Sequence, residues 1–292
     1  MKTVLSYCLF DPIHTHGHRV WDEHRLNKER YWFNIPSLYA INKILYPDYK
    51  MKIYVNESLR YNPLFVLIKR LDIEIEEVSI PFEKTSEPML WRMMPIWEDF
   101  DCVFSRDIDS IPNRNEFRAT VYFKDSNCCI QTIRSHENHY HEQGCDMLGG
   151  LSGFKPKQIL NKPKSFMEYY ESRNDLPWAQ DQFLMTETFL KNQDREFTES
   201  KFLDCPIDNQ KRSSIYLHTT IPSDFNPKLN ESQQDVLDLI DKHNICTWAG
   251  EPCDTRGAFL NEFLNILPKE TEELRKIFAS NTTISDFYGV DS

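Results

Sequence analysis

The chain has 292 residues, a formal net charge of −11, 40% hydrophobic and 13% aromatic residues, and only 8 glycines. That length holds one large α/β domain, and the composition excludes a disordered or fibrous chain. With Lys and Arg scattered along the sequence, the negative charge also excludes a nucleic-acid or anionic-membrane surface, although a divalent cation held by carboxylates can still bring an anionic small ligand to an acidic protein.

In chain order, Thr3 to Phe10 reads as a strand. It is too short for a membrane span, and Asp11 follows it with no small-residue cleavage site, so no export signal is read and the cytoplasm is the expected location. The 8 cysteines form no paired C-x-x-C framework, and the adjacent Cys128 and Cys129 fit buried thiols in a reducing compartment better than disulfides or a zinc site. The segments Ile35 to Leu45, Lys52 to Asn56, Pro63 to Leu71, Ile73 to Ile80 and Met89 to Trp97 alternate strand-like and helix-like patterns, which builds a parallel sheet flanked by helices. Cys102-Val103-Phe104 is a short buried strand that ends in the charged burst Ser105-Arg106-Asp107-Ile108-Asp109. After it, Asn115 to Lys124 reads as helix, Cys129 to Arg134 as extended, Met147 to Phe154 as a Gly-containing strand or hairpin, and Trp178 to Leu190 as a helix behind Pro177. A strand at Ser214 to His218 and helices at Gln233 to Lys242, Ala258 to Leu267 and Lys269 to Ala279 complete the reading. The Pro-containing stretches Pro156 to Pro163 and Pro222 to Pro227 are loops, and no composition break separates two cores.

Two Asp-x-Asp triplets are present, Asp99-Phe100-Asp101 and Asp107-Ile108-Asp109. Position separates them: the second follows the buried strand, where ligands of open α/β sheets gather at the carboxyl ends. Asp107 and Asp109 are therefore candidate metal ligands, since Mg²⁺ or Mn²⁺ takes oxygen ligands from one or two carboxylates plus phosphate, against the alternative of an ordinary solvated turn. Two roles are open to Arg106, a charge-assisted contact to phosphate or an anchor for the acidic loop. Asp181 stands in the first turn of its helix, where the dipole favours a carboxylate; it is read either as that stabilising acid or as the base that takes the proton of an acceptor hydroxyl. His218 closes an apolar strand and is a candidate third metal ligand, against the alternative of an ordinary hydrogen-bonded histidine. Trp248 either packs in the core or stacks on a sugar.

Several ordered blocks resemble GT-A-type glycosyltransferases, including the chlorella-virus sugar transferases and related bacterial proteins. The blocks are Ser6-Tyr7-Cys8-Leu9-Phe10, Leu90-Trp91-Arg92-Met93, Ser105 to Ser110, Arg134-Ser135-His136-Glu137-Asn138-His139, Leu148-Gly149-Gly150, and Trp178 to Leu184. The resemblance implies a GT-A-like, Rossmann-like nucleotide-sugar-binding fold with a mixed, mainly parallel central sheet and a helical C-terminal extension. It divides a single catalytic domain, 1–292, into a nucleotide-sugar half (1–112), an acceptor half (113–225) and the extension (226–292). It further implies that the loop after Ser6 and Tyr7 contacts the nucleoside, that Arg92 faces the donor, and that Gly149 and Gly150 allow close backbone approach near the sugar. The activity implied is metal-dependent transfer of a sugar, hexosyl or pentosyl, from a nucleotide-diphosphate donor to an acceptor hydroxyl on a glycan or small molecule. The relatives carry Asp after the Arg where this chain has Ser135, and Ser135 is no base unaided, so His136 joins Asp181 as a candidate catalytic residue. Two rivals stand beside this reading. A nucleotidyltransferase brings a basic, Gly-rich phosphate loop near its N-terminus, and none follows Phe10. A catalytically silent carbohydrate-binding or scaffold protein would keep the fold without turnover.

Overall fold

The computed structural model describes residues 1–10, 31–32, 34–62, 65–83, 87–134, 147–173, 180–206, 220–243 and 254–267. The expected strand at Ser214 to His218, the helix at Lys269 to Ala279, and Ser135, His136, His139, Trp178, His218 and Trp248 lie outside the described residues.

The strands are β1 (Thr3–Leu9), β2 (Lys50–Asn56), β3 (Glu74–Val78), β4 (Cys102–Arg106), β5 (Ile130–Arg134), β6 (Leu151–Phe154) and β7 (Phe202–Pro206). They form one seven-stranded sheet in the order β3-β2-β1-β4-β6-β5-β7. β1, β2, β3 and β4 pair in parallel, β5 pairs with β7 in parallel, and β6 runs antiparallel to both β4 and β5. The sheet is mixed and mainly parallel, with helices on both faces, as in an α/β fold. Because both faces of β1 are covered, all 7 of its residues are buried, as expected of a strand inside a parallel sheet.

Alternation along the strands sorts side chains into two layers. Leu5, Tyr7 and Leu9 of β1, with Cys102 and Phe104 of β4, pack against α1 (Asn34–Leu45), α3 (Arg114–Asp125), α7 (Glu231–His243) and α8 (Asp254–Ile266). Val4 and Cys8, with Val103, face the other way, toward the 3₁₀ segment Pro88–Trp97, α4 (Phe166–Glu171), and α5 (Gln180–Met185) with the π-helical turn Thr186–Lys191 that continues it. The segment Pro88–Trp97 carries Leu90, Met93 and Ile96 at a spacing of three, and all are fully buried, since a 3₁₀ helix eclipses residues i and i+3. Two short helices, α2 (Phe65–Arg70) and α6 (Arg195–Lys201), complete the set used below.

Cys8, Cys102, Cys129 and Cys205 are buried thiols outside any disulfide. Among the described residues, no helix is long and apolar enough to cross a membrane.

Arg106 illustrates how strand alternation directs a charge. It shares the inward face with Phe104, and its guanidinium donates to Ser105 O (2.8 Å), Ser152 O (3.1 Å) and Thr120 Oγ1 (2.9 Å). The side chain is buried, and these three bonds tie it to Ser105, Ser152 and Thr120, which favours anchoring over a contact to phosphate. Beside it, Tyr7, Asn42, Tyr46, Ser110 and Glu116 line a cavity of about 10 Å³, room for about one water.

Glu116 is 1% exposed, and burial pushes its carboxyl up from 4.5 to about 8, against the opposing pull of Arg106. The folded protein therefore keeps this proton where the unfolded chain has released it. The associated stability is full below about 4.5 and is lost as pH rises to about 8. Glu116→Gln is expected to flatten that fall, measured as Tm across this pH range; parallel Tm curves for the two proteins would show that Glu116 does not hold its proton.

Candidate functional site

The chain order of the sheet reverses between β1 and β4, so a crevice opens outside their carboxyl ends. Ligands of open α/β sheets bind at such a switch point. Asp107 stands there as the first residue after β4. The turn that follows is fixed from three sides: Ser110 N and Oγ donate to Asp107 O (3.2 and 2.9 Å), and Asn34 Nδ2, at the start of α1, donates to Ile108 O at 2.8 Å. Asp109 is 8% exposed in this turn, whereas the Asp107 side chain is 42% exposed.

A second turn lies against the first. Leu151 N and Ser152 Oγ donate to Leu148 O (3.1 and 2.7 Å), and Ser105 Oγ donates to Gly149 O at 2.5 Å. The pairing Arg106↔Leu151 puts Gly149 and Gly150 beside the acidic turn. A Cβ on Gly150 would collide with the Asp107 carboxylate, and one on Gly149 with Arg92 Nη2 and Asp181 Oδ2. These glycines are needed for close approach, here of backbone to the charged side chains themselves.

Arg92 joins the two acids. Its Nη1 donates to Asp107 Oδ1 and its Nη2 to Asp181 Oδ2 at 2.5 Å. Asp181 lies in the first turn of α5 and is 2% exposed. The structure thus brings together Arg92, Asp107, Gly149, Gly150 and Asp181, with Asp109 in the same turn as Asp107. Ser6 and Tyr7 are fully buried in the middle of β1, and Tyr7 Oη accepts from Asn42 Nδ2 at 2.9 Å inside the core. Neither side chain is exposed, and the residues that follow Phe10 lie outside the described residues. Cys8, close to the cluster, is held neutral: burial pushes its thiol up to about 12.

The other Asp-x-Asp triplet is accounted for by lysines. Asp101 accepts from Lys2 N and Lys157 Nζ (2.8 Å each), and Asp99 pairs with Lys2 and with Lys157 (3.2 Å). Hydrogen bonds from Lys2 to Asp99 and from Lys157 to Asp101 hold these carboxyls below the usual range. The triplet precedes β4, at the opposite end of that strand from Asp107. A groove of about 380 Å³, lined by Tyr46, Tyr49, Lys124 and Phe225 among others, also lies at the amino end of the sheet and has no part in this cluster.

Among the described residues no group of three or more His, Cys, Asp or Glu side chains is arranged to hold a metal. Two carboxylates suffice for Mg²⁺ or Mn²⁺ when phosphate oxygens and water complete the shell. Asp107 fits such a role: it is partly exposed, and Arg92 engages Oδ1, leaving Oδ2 outside that pair.

No family model and no curated protein matches the chain. Among solved structures, S. aureus TarS residues 1–349 in complex with UDP is 12% identical, covering 94% of this chain and 83% of that chain, with a TM-score of 0.40. The same segment in complex with UDP-GlcNAc is 11% identical over 91% of this chain and 72% of that one, with a TM-score of 0.39. Overlap of this extent leaves the functional reading to the site itself.

Proposed function

We propose that the chain is a glycosyltransferase that takes a sugar from a nucleotide-diphosphate donor and delivers it to an acceptor hydroxyl. The observation that carries this reading is the cluster at the β1/β4 switch point: a partly exposed carboxylate, Asp107, tied through Arg92 to the buried carboxylate Asp181 beneath a backbone made of Gly149 and Gly150. In this reading Asp107 and Asp109 hold Mg²⁺ or Mn²⁺, with His218 as a further ligand. A cation held by these residues would supply positive charge against the departing diphosphate. The bare backbone at Gly149 and Gly150 lets the Asp107, Arg92 and Asp181 side chains lie close against the chain where the sugar would sit. Asp181, on the acceptor side, takes the hydroxyl proton, with His136 as the second candidate. The acceptor is a glycan or a small molecule.

Donor hydrolysis tests the reading. The protein is incubated with a panel of nucleotide sugars, starting with UDP-GlcNAc, in Mn²⁺ and in excess chelator. Slow hydrolysis that chelation abolishes and Mn²⁺ restores is the expected result. Sugar binding without turnover across the panel would favour the catalytically silent protein, and full activity in chelator would remove the metal.

A further inference from the structure

The resemblance assigns Arg92 to the donor, yet its guanidinium is turned to the protein. The side chain is 3% exposed, one terminal nitrogen is on Asp107 and the other on Asp181, and Nε is buried without a hydrogen-bond partner. Asp107 lies 15 residues from Arg92 and Asp181 lies 89, so one planar group ties the end of β4 to the start of α5. Gly149 and Gly150 bring backbone against the same cluster: a Cβ on Gly149 would collide with Arg92 and Asp181, and one on Gly150 with Asp107. The guanidinium is therefore enclosed by its two carboxylates and by main chain.

We propose that Arg92 is a positioning residue: it fixes the carboxylate of Asp107 for a bound cation, and that of Asp181 opposite it, without touching the nucleotide diphosphate. The proposal rests on the transferase reading above. A rigid fork serves this task and a point charge does not, because only guanidinium presents parallel N–H donors from two nitrogens at a fixed angle. By holding Oδ1 of Asp107, Arg92 turns the other oxygen away from itself, the arrangement through which outer partners orient metal-binding carboxylates. Asp181, buried and bound to the far nitrogen, keeps the guanidinium from swinging out to the crevice.

The test separates positioning from donor contact. UDP serves as probe, and its affinity is measured by calorimetry in chelator and again with Mn²⁺. Three proteins are compared: the parent, Arg92→Lys, and Arg92→Gln/Asp181→Asn. The double variant removes both buried charges together and so guards against misfolding from an unpaired Asp181. Positioning predicts that both variants bind UDP in chelator within about twofold of the parent while losing about 10- to 100-fold of the Mn²⁺-dependent gain, the range for loss of an outer partner. An equal loss of UDP affinity in chelator would show that Arg92 touches the donor and would overturn the proposal, as would an undiminished Mn²⁺ gain in the double variant. Should the parent bind no UDP under either condition, the transferase reading fails, and the bridge is then judged by thermal unfolding of Asp107→Asn, Asp181→Asn and their combination. A shared guanidinium makes the pair cost more than the sum of the singles, whereas additive shifts overturn it.

Discussion

Asp107→Asn is expected to lower donor turnover by about 10²–10³, the scale on which loss of one charge-stabilising group acts at a reacting centre. Asp101→Asn is expected to leave turnover unchanged. The two residues share a motif and differ in surroundings. Asp107 stands at the carboxyl end of β4, partly exposed and in contact with the Arg92 bridge, whereas Asp101 is occupied by Lys2 and Lys157 at the amino end. Replacing a partly exposed carboxylate removes little of the core, so Tm for Asp107→Asn should stay close to the parent. Steady-state turnover with the active donor, measured beside Tm, decides the matter. Equal loss at both positions with unchanged Tm would mean that the cleft had been placed at the wrong end of the strand.

Much of the frame was legible because strand alternation and strand-end position are local properties. Lys52 to Asn56, Cys102 to Phe104 and all of Thr3 to Phe10 but its last residue fall in strands, and the helices read at Asn115 to Lys124 and Gln233 to Lys242 lie within α3 and α7. β7 was missed: Phe202–Pro206 follows α6 with no intervening residue, so no turn signal announces it. α4 was missed as well, since 6 residues are too few to establish a helical period. The inward turn of Arg106 was available from the sequence, for it shares a face with Phe104 two positions earlier. The tie between Asp107, Arg92 and Asp181 was not. It is made by side chains far apart in the chain that meet only after the 3₁₀ segment and α5 pack on the same face of the sheet. Gly149 and Gly150 pointed to close approach, but the groups they approach became visible only in three dimensions.

Asp181 is expected to separate two kinds of loss. Asp181→Ala leaves the buried Arg92 guanidinium with Asp107 as its remaining described partner, and breaking a buried ion pair from one side costs about 3–5 kcal/mol. In a chain of this size that lowers Tm by on the order of 10 °C. Asp181→Asn should cost much less, because the amide oxygen still accepts from Arg92 Nη2 and the volume is kept. A proton acceptor loses its function in both variants, so turnover should fall by about 10²–10⁴ in the Asn protein as well, with UDP affinity nearly intact. Calorimetry with UDP, turnover with an acceptor and thermal unfolding on the same two variants give the answer. Near-parent turnover in Asp181→Asn, together with the large Tm loss in Asp181→Ala, would confine Asp181 to anchoring Arg92 and move the search for the base to His136.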